Sequence, residues 1–169
     1  MLINSNDWAT LIFRLTLAVL VGCLLGINRQ QGGRPAGMRT FMLVSLGAAM
    51  FVMIPLQAET DSAYTVTNAL SRTIQGVAAG VGFIGAGMIW QQSHQRLGKL
   101  EVKGLTTAAT IWVAAGLGAA IGCGLWQMSL IGAILTLVIL SGVKKIEKSV
   151  SIRLKNKDGK IEKSRITEQ

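Results

Sequence analysis

Three stretches of this chain carry no formal charge: nineteen residues between Arg39 and Glu59, twenty-three between Arg72 and Arg96, and forty between Lys103 and Lys144. A helix rises ~1.5 Å per residue and the hydrocarbon layer of a bilayer is ~30 Å thick, so about twenty residues make one crossing. The first two runs each predict one membrane helix. The third is double length and must fold back, and Gly122-Cys123-Gly124 is the break, leaving residues 104–121 and 125–143 as two spans. Residues 8–27 supply a fifth, with Arg14 near its start. The composition agrees, with 15% charged residues and a mean hydropathy of +0.48. Soluble domains carry about 25% charged residues.

The charges outside the runs are lopsided, seventeen Lys and Arg against eight Asp and Glu. On a soluble protein that excess would suggest nucleic acid; beside membrane spans it marks loops held on the cytoplasmic side. Residues 29–39 hold three arginines and no acid, whereas the next connection holds Glu59 and Asp61 and no base. The connection after the third run has Arg96, Lys99 and Lys103 against Glu101, and the tail from Lys144 has nine basic residues against four acids. This alternation fits five spans. The predicted fold is an all-α, polytopic bundle of five transmembrane helices over residues 1–143, with the N-terminus outside and a basic cytoplasmic tail over 144–169. Ile146, Val150 and Leu154 recur at helical spacing in that tail, which reads as an interfacial helix on acidic lipid. Trp8 and Trp126 fall at one membrane boundary and Trp90 at the other, while Trp112 falls mid-span and needs a partner for its N–H. Arg14 is expected to reach the outer headgroups by snorkelling.

No span contains an acid, and no Cys/His spacing surrounds His94, the one histidine, so neither a metal site nor a cofactor is expected. Cys23 and Cys123 are placed at opposite faces, too far apart to bridge. No catalytic constellation is visible, and the expectation is a protein that is not an enzyme.

Glycine is concentrated inside the apolar runs. Gly22 and Gly26, Gly76 and Gly80, and Gly118 and Gly122 each stand in G-x-x-x-G spacing, by which membrane helices approach closely. The third run is denser, with Gly80, Gly82, Gly85 and Gly87. Its G-x-G-x-x-G lacks the strand and helix that dinucleotide binding requires, so close packing on two neighbours is the expectation, with a thinned or unwound helix exposing carbonyls to a cavity as the alternative.

Basic and hydroxyl residues gather at the cytoplasmic face. The second and fourth spans begin there, with Arg39-Thr40 and with Lys103-Gly104-Leu105-Thr106-Thr107. A helix N-terminus carries about half a positive charge and unpaired N–H groups. Two such ends beside Arg29, Arg34, Arg39 and Lys103 make a candidate anion or partner site, in which Thr40, Thr106 and Thr107 cap the helices or touch the anion. Ordinary orientation and loose attraction to acidic lipid explain the same charges. A faint internal echo pairs Gly26, Gln30 and Gln31 with Gly87, Gln91 and Gln92.

Four segments together resemble the MgtC/SapB family of bacterial membrane proteins: Gly26-Ile27-Asn28-Arg29-Gln30, the stretch from Arg34 to Thr40, the stretch from Gly80 to Gly87, and the stretch from Val102 to Trp112. The resemblance covers roughly residues 15–140. It implies a multi-pass protein of the bacterial inner membrane, linked to growth under magnesium limitation and, in pathogens, to survival inside macrophages as a virulence-type factor. It also implies a modulator of a partner membrane complex, with a magnesium transporter or channel as the alternative. The basic cytoplasmic cluster adds a third reading, an anionic-lipid or phosphate-binding scaffold, and a homo-oligomer is the other expected association. Two positions depart from the family pattern. Asn28 stands where an acid is usual, and Gly76 stands where glutamine is usual, four residues after the retained Arg72.

Overall fold

The computed structural model describes residues 7–31, 36–57, 63–94 and 103–142. It divides into two compact units, Met1–Ala133 and Ile134–Gln169. Among the described residues the fold is all-α, with five helices: α1 (Trp8–Gln31), α2 (Met38–Gln57), α3 (Ala63–His94), α4 (Leu105–Gly122) and α5 (Trp126–Gly142). The first four are long and apolar enough to cross a membrane, and α5 is shorter. The break expected at residues 122–124 is where α4 ends. Gly124 takes a left-handed conformation (φ 85°), and its N–H bonds back to the carbonyl of Ile121. The expected tail, the interfacial helix within it and the charged connections at Glu59, Asp61, Arg96, Lys99 and Glu101 lie outside the described residues.

In the first unit, α4 is the centre. Apolar or small residues surround it on every side, the pattern of a helix with neighbours all round. Of its spanning stretch 61% is buried, against 6% for α3. Ile111, Ala114, Ala115 and Ile121 form its buried core with Leu25 of α1 and Phe41, Ala49 and Val52 of α2. At the α4–α5 connection the buried Ser129 hydroxyl donates to the Leu117 carbonyl at 3.0 Å. In the second unit the described part of α5 exposes Ile134, Leu135, Val138 and Ile139.

Small residues set how closely these helices approach. A Cβ on Gly22 would lie 2.5 Å from the Phe41 carbonyl oxygen, and one on Gly26 would strike the Met38 backbone, so α1 and α2 cross in direct backbone contact. Gly118 leans in the same way on Ser45, and Gly122 on Ala49 and Val52, which seats α4 against α2. On α3 only Gly85 has a neighbour, Ala108 of α4. The expectation that Gly76, Gly80, Gly82 and Gly87 pack closely is corrected: a Cβ at any of them would meet nothing within 4 Å. The reason is rotational. At ~100° per residue Gly76, Gly80 and Gly87 fall on the side of α3 opposite Gly85, so seating Gly85 against α4 turns those three away from α4.

Two further expectations change. Trp112 is 54% exposed on the outer side of α4, so its indole meets the surroundings of the bundle and not its core. Arg14 does not snorkel; it is buried, 7% exposed.

Candidate functional site

Two arginines of α1 hold the two ends of α4. Arg14 lies two turns into α1, and its Nη1 donates to the Gly122 carbonyl at 2.8 Å. That carbonyl belongs to the last residue of α4, where the partial negative charge of the helix dipole lies and where carbonyls lack partners within the helix. The fit is close enough that a Cβ on Gly124 would come within 2.9 Å of Arg14 Nη2. Arg29 lies in the last turn of α1 and is 5% exposed. Its Nη2 donates to the Thr107 hydroxyl in the first turn of α4, itself buried. The two contacts show that α1 and α4 run antiparallel.

Of the seven residues expected at this face, the structure brings Arg29 and Thr107 into one buried contact. Arg39 and Thr106 are exposed, Thr40 and Lys103 are half-buried, and Arg34 lies outside the described residues. The threonines do not cap α4. Its cap is Gly104, in a left-handed conformation (φ 95°) with no side-chain bond to the helix. Thr107 is turned to Arg29 instead, and the Thr106 carbonyl accepts the Thr110 hydroxyl at 2.6 Å. The start of α2 closes the site from the side, since Met38 packs on Gly26 one turn before Arg29. The guanidinium held here ties the last turn of α1 to the first turn of α4.

At the opposite end of the unit, Asp7 precedes α1 and accepts the Thr10 N–H at 3.1 Å, with the Thr10 hydroxyl on its second oxygen. The Thr10 hydroxyl and then its N–H hold the Asp7 carboxyl below the usual carboxylate range, with a smaller contribution from the charge of Arg14. Burial pushes the Cys123 thiol up, and Arg14 opposes that shift. Cys23 and Cys123 are both free thiols. Among the described residues no three His, Cys, Asp or Glu side chains gather in a way that would hold a metal ion.

The role of Arg14 was missed at the level of sequence. The available signal was its pairing with the Gly-Cys-Gly turn: Arg14 and Arg29 are separated along α1 by nearly the length of α4, so one helix can grip both ends of the other.

The profile of the MgtC family matches residues 15–149. Protein SrpB of Synechococcus elongatus is 60% identical over 151 residues, which cover 88% of this chain and 83% of SrpB. "Putative magnesium transporter YhiD" of Escherichia coli is 36% identical over 89% of this chain and 66% of its own length. Protein MgtC of Salmonella typhimurium is 36% identical over 75% of this chain and 49% of its own length. The match thus spans most of SrpB but only about half of MgtC. No solved structure matches the chain. With a family match over most of its length, the buried Arg29–Thr107 contact between α1 and α4 inside the matched region, and four helices able to cross a bilayer, the chain belongs to the MgtC family.

Proposed function

We propose that this protein acts in magnesium-linked ion or energy homeostasis of the bacterial inner membrane, as a modulator that binds a partner membrane complex. The observation that carries this reading is the surface of α3. A helix of 32 residues has 6% of its spanning stretch buried, and it presents Phe83, Trp90 and the open Gly82 outward. Small residues beside exposed aromatics are what another membrane helix packs against. The described spans hold no carboxylate, the usual ligand of Mg²⁺ and the usual mark of a cation path. Five spans with the N-terminus outside belong to the same proposal, as does attraction of acidic lipid to the basic face through Arg39.

The similarity to YhiD, named a "putative magnesium transporter", supports a second reading, a magnesium transporter. Purified protein in liposomes separates the two. The modulator reading expects no Mg²⁺ flux above protein-free vesicles, and expects a photo-crosslinker at Phe83 to capture a membrane complex from cells grown at low magnesium. Flux proportional to the gradient, with no capture, would reverse the ranking.

A further inference from the structure

A cavity of about 660 Å³ lies between α2 and α3, running from Leu43 and Ile84 at one end to Phe51 and Thr73 at the other. Its lining is apolar except for Thr73, whose hydroxyl already donates to the Ala69 carbonyl at 2.9 Å. The groove therefore offers no polar group to an occupant. Gly47, Gly76 and Gly80 leave its wall bare, with nothing within 4 Å of where a Cβ would stand.

The position of the groove in the membrane follows from one contact. Gly85 sits on Ala108, and α3 and α4, consecutive spans joined by a short connection, run antiparallel. From Gly85 back to Arg72 is ~20 Å of helix, and from Ala108 forward to Gly122 is ~21 Å, at ~1.5 Å per residue. Arg72 thus stands level with the end of α4, where the chain turns through Cys123 and Gly124. The spanning stretch of α4 ends at Gly122, so this level is the polar border of the bilayer. Arg72 is exposed, and it lies four residues before Gly76, next to it along the helix surface.

We propose that this groove holds one phospholipid, with an acyl chain along Gly76 and Gly80 and its phosphate on Arg72. The groove's length favours a chain over a helix. Thr73 to Ile84 covers ~16 Å, about half the ~30 Å of hydrocarbon and so the depth of one leaflet. A helix from a second copy would need the whole span, and Phe83, 82% exposed, projects between Gly80 and Gly87 where it would have to lie. A guanidinium at the headgroup end matches a phosphodiester in charge and in paired N–H geometry.

The full chain, stripped of lipid in detergent and titrated with phosphatidylglycerol, tests this by native mass spectrometry. The wild type is expected to retain one lipid through collisional activation. Arg72→Gln should weaken retention about fivefold, as expected for one basic residue at a membrane surface. Gly80→Leu places its Cβ in open space and its side chain in the groove, and should abolish retention, while Gly82→Leu, on another side of α3, should leave it unchanged. Gly76→Val repeats the test should Gly80→Leu fail to fold. Equal retention in the wild type and the groove-filling variants overturns the proposal. So does an Arg72→Gln protein that binds as the wild type does, or a wild-type dimer that Gly80→Leu dissociates.

Discussion

Arg14 is a cation inside an apolar bundle, and its partner is a carbonyl that α4 itself cannot satisfy. Replacing it with methionine removes the charge but leaves the Gly122 oxygen without this donor, which costs about 1–3 kcal/mol by the usual penalty for a buried orphan. A lowered thermal midpoint in detergent is the expected outcome. The same residue is readable through its neighbour. Burial raises the Cys123 thiol and Arg14 holds the rise in check, so in a Cys23→Ser background alkylation of Cys123 at neutral pH should be slower than that of an ordinary thiol, and slower again in Arg14→Met. Ser45 presents the opposite case. Its hydroxyl is fully buried and has no hydrogen-bond partner, so Ser45→Ala should be neutral or raise the midpoint. Asp7 gives a pH dependence of known sign. A carboxyl depressed by Thr10 contributes fully above its unfolded value of ~3.9, and that contribution is lost as pH falls through the lower folded value. Hydrogen exchange at the first turn of α1 should therefore rise only below pH ~3.9, and Thr10→Val should move the rise upward.

At the scale of the helices, glycines of one spacing have two fates. Gly118 and Gly122 bring α4 onto the backbone of α2, and Gly22 and Gly26 do the same for α1. Gly118→Ala or Gly26→Ala must push helices apart, at a cost of about 1–3 kcal/mol. Gly82→Ala and Gly87→Ala face open space and should be neutral, or stabilising by up to about 1 kcal/mol through helix propensity. Midpoints measured on the four variants side by side check the division; equal losses in all four would contradict it. The G-x-x-x-G spacing could be read from the chain, but not which copy finds a partner. Spacing places two glycines on one face, and only the rotation of that face toward another helix decides whether it is covered. The anion site shows the same limit. Arg29, Arg39, Thr106 and Thr107 share one end of the bundle in sequence, yet consecutive residues of a helix point about 100° apart, so Thr107 is buried on Arg29 while Thr106 faces out.

For the molecule as a whole, the charge alternation predicts that the connections holding Arg34 and Glu59 lie on opposite sides of the membrane. Single cysteines at those two positions, in a chain lacking Cys23 and Cys123, should be labelled by an impermeant maleimide from opposite compartments. Labelling of both from one side would refute the five-span arrangement. What the chain determined by itself was the class of fold: helices that cross a bilayer, their order, and the turn near Cys123. Those follow from hydrophobic thickness and from backbone groups that must bond within their own helix, both local properties. Tertiary structure alone decided that α4 is the centre, that Arg14 and Arg29 grip its two ends, and that Gly85 of α3 is covered while Gly76, Gly80, Gly82 and Gly87 are not. Each of these depends on how helices rotate about their axes against one another, and van der Waals contact between distant segments sets that rotation.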